Sequence, residues 1–204
     1  MIVCSIAAGN VFDGAGWLRD PVFEGTTVIN LLHRESERVP ELSGPVNVHT
    51  LFRKEIFLKA APASATIAIT GDDYFKFYCN GQFCFQGPEP GYHFAYPFFW
   101  VDVTGFLKQG DNCLGAHVFY QGLHNRVWNS ADNRSGFMLA LDVHYEDGTS
   151  DRFVTDDTWR CYQLKAFPGE ETTGYKTQFL ENIDMRLIPV GWQNEGFDDN
   201  HWLS

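Results

Sequence analysis

Two loops of this chain combine aromatic rings with amide, carboxylate and guanidinium side chains. The first spans residues 89–100 and the second spans residues 121–134. An aromatic ring stacks on the apolar C–H face of a sugar, while amide, carboxylate and guanidinium groups form paired hydrogen bonds with its hydroxyls. The composition of both loops therefore indicates saccharide binding. The candidate carbohydrate-binding residues are Tyr92, Tyr96, Trp100, His124, Asn125, Arg126 and Trp128.

The same loops have a second interpretation, in which their aromatic side chains pack against another domain. A large aromatic residue is more often part of a packed interface or core than of a ligand site. Both interpretations stay open at the level of the sequence. Trp128→Ala separates them, because unchanged saccharide binding in this variant would contradict a stacking role for the ring.

Three pairs of adjacent carboxylates are the other groups that could carry chemistry: Asp72-Asp73, Asp156-Asp157 and Asp198-Asp199. Glycoside hydrolysis requires two carboxyl groups roughly 5 to 10 Å apart across a pocket. Neighbouring side chains in an extended chain diverge, so we interpret each pair as capping a turn. The chain also lacks a GxSxG nucleophile motif and an HExxH metal motif, which argues against a serine hydrolase and against a histidine-bound metal.

Apolar and polar residues alternate with a period of two in nine segments, and these segments must position the loops. The pattern predicts an antiparallel, jelly-roll-like β-sandwich of the all-β class. Asn80-Gly81 supplies the two positive-φ positions of a type I′ hairpin, and Asp147-Gly148 marks a second hairpin. The predicted strands are 46–59, 65–70, 74–79, 82–86, 98–104, 113–120, 136–145, 151–154 and 158–163.

The pattern divides the chain into an N-terminal extension over 1–45, a sandwich over 46–165 and a tail or connector over 166–204. Within the extension, 27–32 is a possible strand and 30–38 a weak helix candidate. One helical turn is expected over 102–107, with Thr104 as its cap.

Composition excludes two classes of partner. The formal net charge is -11 and only 15 Lys and Arg residues are scattered along the chain, so neither nucleic acid nor an anionic membrane is an expected partner. No apolar run approaches the roughly 20 residues that span a bilayer, and the first residues lack a basic segment. We therefore expect a cytoplasmic location. Five cysteines without a CxxC pair predict reduced thiols.

Several motifs in order resemble the N-terminal β-sandwich of bacterial α-L-rhamnosidases: YFKFYCNG (74–81), VDVTGFLKQGDN (101–112), VHYEDGT (143–149), TDDTW (155–159), NIDMR (182–186) and GWQNEGFDDNHW (191–202). In that family the hydrolytic carboxylates belong to a separate helical barrel. The resemblance implies that this chain is a non-catalytic accessory domain whose partner is a downstream catalytic domain. The tail then leads toward that domain.

The resemblance also implies a bound metal ion, because related sandwich domains of rhamnosidases bind rhamnose through calcium. Asp132 and Asn133 in the second loop could offer oxygen ligands to Ca²⁺. Our first hypothesis is a domain that binds rhamnose-like carbohydrate, supports the catalytic barrel, or does both. The alternative is a purely structural docking module without a ligand. A concave cleft lined by aromatic and amide groups would favour the sugar, and an exposed apolar face would favour docking.

Overall fold

The computed structural model describes residues 10–29, 44–88, 91, 94–123, 131–174 and 177–203. These residues form an antiparallel β-sandwich, as the sequence predicts. Its strands are β1 (Val48–Leu58), β2 (Ser64–Asp72), β3 (Tyr74–Cys79), β4 (Gln82–Gly87), β5 (Phe99–Asp102), β6 (Gly110–Tyr120), β7 (Gly136–His144), β8 (Ser150–Val154) and β9 (Arg160–Gln163). The described helical elements are 3-10 turns at Pro21–Phe23, Thr104–Phe106 and Met185–Leu187.

The strands form two sheets. One has five strands in the order β4-β3-β6-β1-β9, and the other has four in the order β5-β2-β7-β8. Every pair between these strands is antiparallel, including the long β1–β6 pair, which runs from Val48 opposite Tyr120 to Leu58 opposite Gly110. As a result, the turn after β2, the loop between β4 and β5, and the loop between β6 and β7 all lie at the same end of the sandwich.

Turn chemistry fixes the hairpins where the sequence places them. Asn80 has φ 50° and Gly81 has φ 77°, so both central positions of the β3–β4 turn adopt the positive φ that a type I′ turn needs. Gly148 lies at φ 80° in the β7–β8 turn. Each of the nine predicted segments overlaps one observed strand.

The structure differs from two local predictions. Thr104 does not cap the turn at Thr104–Phe106, because Val103 is the N-cap residue and has no side-chain cap bond. The Thr104 hydroxyl instead accepts a hydrogen bond from the Ala65 amide at 2.8 Å and so ties the turn to β2. Residues 27–29 form no strand, and the rest of the predicted elements at 27–32 and 30–38 lies outside the described residues.

The core lies between the two sheets and is centred on Phe137 of β7. Its ring packs edge-on against Phe75 and Trp159 and stacks on Phe52 and Phe77. The alternating strand positions supply these residues, since successive side chains of a strand point to opposite faces.

The described part of the N-terminal extension packs on the sandwich. Leu18 forms a β-bridge with Phe137, and the Thr50 hydroxyl donates to the Asp20 carboxylate at 2.7 Å. Phe23 is fully buried against Tyr120.

The tail also packs on the sandwich, and it builds a second, smaller core on the outer face of the five-stranded sheet. This core contains Leu51, Leu164, Ala166, Trp192 and Trp202. Leu203 pairs with Cys161 of β9. The tail is therefore anchored to the sheet by backbone hydrogen bonds as well as by apolar contacts.

Across the described ranges, no helix is long and apolar enough to cross a membrane. The four cysteines within these ranges, Cys79, Cys84, Cys113 and Cys161, are free thiols, as expected from the absence of paired motifs.

Candidate carbohydrate-binding site

The loop end of the sandwich gathers acidic side chains from separate parts of the chain. Asp72 ends β2, Asp73 follows it, and Tyr96 comes from the β4–β5 loop. Asp132 comes from the β6–β7 loop. We call these four residues the Asp72 cluster.

Hydrogen bonds connect three members of the Asp72 cluster, and Asp132 acts on Asp72 through its charge. The Tyr96 hydroxyl donates to Asp72 Oδ2 at 2.7 Å, and the amide of Gln121 donates to Asp73 Oδ2 at 2.7 Å. The carboxyl groups of Asp72 and Asp73 also hydrogen-bond each other. The structure therefore brings together residues that are up to 60 positions apart in the sequence.

The electrostatics of the Asp72 cluster favour protonation. Burial, followed by the nearby carboxylates of Asp73 and Asp132, raises the pKa of Asp72 well above its usual value. Burial and Asp72 also raise the pKa of Tyr96. Like charges that must share a desolvated site cannot all ionise. A carboxyl group in this state both donates and accepts hydrogen bonds, which suits the hydroxyls of a sugar.

A buried polar atom lies next to the cluster. Gln121 is only 2% exposed, and its side-chain amide donates to the carbonyl of Thr177 at 2.8 Å. Its Oε1 atom has no hydrogen-bond partner within the described ranges. A buried acceptor in this state costs free energy until a donor or a cation reaches it.

Aromatic rings border the cluster. The ring of Trp17 tilts against that of Tyr96 at a centroid distance of 5.1 Å, and 43% of Trp17 remains exposed. Trp17 comes from the N-terminal extension, so the extension contributes an aromatic group that the sequence did not single out.

The predicted binding residues have different positions in the fold. Tyr96 joins the Asp72 cluster. Trp100 lies on β5 opposite Ala68, where its ring packs edge-on against Phe98 at 6.0 Å and is 43% exposed. The other predicted binding residues, Tyr92, His124, Asn125, Arg126 and Trp128, lie outside the described residues.

The two residues predicted to bind calcium are engaged by protein groups. Asp132 Oδ2 forms an ion pair with Arg134 at 2.8 Å, and Asp132 Oδ1 accepts from the Arg134 amide at 2.9 Å. Asn133 is 3% exposed and has φ 62°. Its side chain donates to the Thr27 carbonyl at 2.8 Å, and its own carbonyl accepts from Arg19.

A calcium ion takes six to eight oxygen ligands, and Asp132 and Asn133 as placed do not supply such a set. Nowhere in the described ranges do three or more His, Cys, Asp or Glu side chains converge closely enough to hold a metal ion. Calcium binding at this pair stays a prediction.

The carboxylate pairs behave differently from one another. Asp156 and Asp198 cap turns as predicted, because their Oδ1 atoms accept from the amides of Thr158 at 3.0 Å and Asn200 at 3.2 Å. Asp72 and Asp73 do not cap a turn in this way, since their partners are Tyr96 and the amide of Gln121. The missed signal in the sequence is the position of the Asp72-Asp73 pair. The pair stands at the end of a strand that borders both aromatic loops.

The family of the chain follows from a comparison with known sequences. Residues 60–204 match the family described as the alpha-L-rhamnosidase N-terminal domain. The chain belongs to this family. An α-L-rhamnosidase from Formosa agariphila is 27% identical over 172 residues, covering 74% of this chain and 17% of that protein.

Solved structures agree with this assignment. The α-L-rhamnosidase of Streptomyces avermitilis, solved in complex with L-rhamnose, matches with a TM-score of 0.64 at 25% identity and covers 78% of this chain and 16% of that one. A lectin from Pleurotus ostreatus in complex with GalNAc matches with a TM-score of 0.50 at 26% identity, covering 79% and 38%. This rhamnosidase N-terminal domain therefore spans less than a fifth of the rhamnosidases that it matches.

Proposed function

We propose that this chain is a non-catalytic accessory domain of an α-L-rhamnosidase-type glycoside hydrolase and that its loop end binds a rhamnose-like saccharide. The observation that carries the proposal is the Asp72 cluster, in which a buried carboxyl group with a raised pKa is hydrogen-bonded to Tyr96. Groups with strongly perturbed pKa values concentrate at functional sites. The likeness to a lectin that binds GalNAc supports a sugar as the ligand.

The proposed chemistry is recognition. The Asp72 and Asp73 carboxyl groups exchange hydrogen bonds with vicinal hydroxyls of the sugar, and the exposed ring of Trp17 beside Tyr96 packs against its apolar face. The Asp72 and Asp73 carboxyl groups bond each other, whereas glycoside hydrolysis needs two carboxyl groups on opposite sides of the scissile bond.

A second candidate function is docking on a catalytic domain of the same parent protein. A segment of the tail exposes apolar side chains, with Val190 90% exposed and Met185 67% exposed. Leu180, Ile183 and Leu187 are also exposed there. A run of exposed apolar residues marks a contact surface. Docking through these residues and saccharide binding at the Asp72 cluster use different side chains and are compatible.

Isothermal titration with L-rhamnose and a panel of monosaccharides tests the proposal. The chain is expected to bind rhamnose with an affinity in the millimolar range or better, and Asp72→Ala, which removes both the donor and the acceptors of the carboxyl group, is expected to lose this binding. Glu146→Ala, which changes an exposed acidic residue in the β7–β8 turn, is the matched control and should bind as the unchanged chain does. Absence of heat with every sugar would contradict saccharide binding and leave docking.

The same titration tests the calcium prediction. It is run in buffer with calcium and again with a chelator. Loss of rhamnose binding on chelation would support an ion at the site. Equal binding in both buffers would contradict it.

A further inference from the structure

A large cleft crosses the outer face of the five-stranded sheet. Its volume is about 1010 Å³. The floor comes from β3 and β6, where Tyr74 lies opposite Phe119 and Lys76 lies opposite His117. The tail forms one wall and the edge strand β4 forms the other. Tyr96 and Trp100, the predicted carbohydrate-binding residues that the structure describes, lie outside this lining.

A column of aromatic rings runs across the floor. Phe167 of the tail stacks on His49 at 3.8 Å, and His49 stacks on Phe119 at 4.3 Å. Phe119 in turn lies nearly parallel to Tyr74, at 6.1 Å and 23°. Each strand thus contributes one ring to a continuous row, which the register of β1, β6 and β3 aligns.

The floor keeps its shape because both ends of it are closed. At one end of the floor, the ring of Phe167 covers His49. At the other end, Trp192 covers Gly115, where an added Cβ atom would lie 2.8 Å from the Trp192 ring. The cross-strand pair of Lys76 and His117 lies between Phe167 and Trp192.

The charge on the floor is small and localised. His49 Nδ1 lies 3.0 Å from His117 Nε2, so at most one of the two rings can carry a proton at that contact. Burial lowers the pKa of His49 to about 3 and that of His117 to about 4. Both rings are neutral near pH 7. Lys76 and Glu181 are then the charged residues in the described lining.

Several polar groups of the lining make no side-chain hydrogen bond with the described protein. They are Lys76, Tyr78, Gln86, Gln178, Glu181 and Gln193. Together they present donors from the amides, the ammonium and the phenol, and acceptors from the amides and the carboxylate. Polar groups of this kind hydrogen-bond with water when they are exposed, and a ligand with many hydroxyls can replace such water without leaving the groups unpaired.

We propose that this cleft is a second saccharide-binding site, separate from the Asp72 cluster, and that it binds an oligosaccharide. Aromatic side chains with intervening amides match the alternating apolar faces and hydroxyl edges of a glycan chain. Ligand sites for drug-sized molecules measure about 300–1,000 Å³, so a cleft of about 1010 Å³ exceeds what one sugar ring fills. The inference rests on the proposed function and extends it from a single sugar to a glycan chain.

NMR mapping of the ¹⁵N-labelled chain tests the inference, with rhamnose-containing and rhamnose-free trisaccharides as probes. The expected result is a shift of the amide resonances of Lys76, His117 and Gln178 with at least one trisaccharide. The double variant Gln86→Ala/Gln178→Ala removes two exposed amides from opposite walls and should weaken that binding about tenfold, which corresponds to about 1.4 kcal/mol. Gln82→Ala, an exposed glutamine on β4 outside the lining, is the matched control and should bind as the unchanged chain does.

The Asp72→Ala variant separates the two sites. Trisaccharide shifts at Lys76 and Gln178 that persist in Asp72→Ala support the second site. If shifts occur only around Asp72 and Tyr96 and disappear in Asp72→Ala, the second site is overturned while the proposed function stands. If no saccharide shifts any resonance of the folded chain, both are overturned, and a protein partner takes the place of a sugar on this surface.

Discussion

The guanidinium of Arg53 on β1 forms an ion pair with the carboxylate of Asp199 near the end of the tail. Arg53 is 1% exposed and lies on the outer face of the five-stranded sheet. It also donates to the carbonyls of Trp192 at 3.1 Å and Asn194 at 3.0 Å. One buried cation therefore organises the tail from residue 192 to residue 199.

Replacing Arg53 should release this part of the tail. Arg53→Met leaves two carbonyls and the Asp199 carboxylate without their donor, so the free energy of unfolding should fall by about 2–4 kcal/mol. Urea denaturation measures the change. Arg186→Met removes an arginine that is paired with Asp184 but almost fully exposed, and should cost less than about 0.5 kcal/mol. Equal losses in the two variants would contradict the anchoring role.

Gly115 is expected to be intolerant of a side chain. In Gly115→Ala the new methyl group would meet the Trp192 ring at 2.8 Å, so the ring must move and stability should fall by about 1–3 kcal/mol. The NMR resonance of the Trp192 indole should shift as well. Gly105→Ala is the control, because nothing lies within 4 Å of its added atom. An unshifted indole resonance in Gly115→Ala would contradict the close packing.

Stability should fall as the solution becomes acidic, because of His49 and His117. Their pKa values lie near 3 and 4 in the folded state, against 6.5 for an ordinary histidine. The unfolded chain therefore binds more protons between about pH 6.5 and pH 4, and the free energy of unfolding decreases as the pH falls through this window.

Urea denaturation at pH 7, 6 and 5 measures this dependence. His117→Gln removes one of the two titrating rings and should reduce the slope against pH. His144→Gln changes a histidine that is exposed at the end of β7 and should leave the slope as it is. An identical slope in the unchanged chain and in His117→Gln would contradict the assignment.

Asp72 should reduce the free energy of unfolding above pH 3.8. Burial, Asp73 and Asp132 raise its pKa in the folded state above the ordinary value of 3.8, so the folded chain binds more protons than the unfolded chain and stability falls as the pH rises above that value. Asp72→Asn removes the charge and should increase the free energy of unfolding at pH 8 by about 0.5–2 kcal/mol. At pH 4 the gain should be smaller. A loss of stability at pH 8 would contradict the raised pKa.

The sequence predicted the strands because each one alternates apolar and polar residues and ends at a turn with a specific backbone requirement. Asn80-Gly81 and Asp147-Gly148 determine hairpins through the positive φ values of Asn80, Gly81 and Gly148, which is a local property. Thr104 was predicted to cap its turn because its residue type suits that role, but its hydroxyl is used by Ala65 of β2, which is a tertiary contact.

Saccharide binding by the residues predicted from the sequence stays a prediction. Tyr96 was identified by its type and loop, and the structure places it at the same end of the sandwich as Asp72. The sequence did not single out Asp72 as a binding residue, because its raised pKa comes first from burial, which the fold creates, and then from Asp73 and the distant Asp132. The cleft over Lys76 and His117 was missed for the same reason, since its walls come from β4 and from the tail. The hydrophobic periodicity and the residue composition of a sequence describe neighbours along the chain. They do not identify the residues that meet across a sheet.

The central claim is that this chain binds saccharide without hydrolysing it. One titration with 4-nitrophenyl α-L-rhamnopyranoside tests both parts when heat and the release of 4-nitrophenolate are followed in the same samples. We expect saturable heat from the unchanged chain, much weaker heat from Asp72→Ala, and no release of 4-nitrophenolate above buffer. Steady release by the unchanged chain, or the absence of saturable heat, would contradict it.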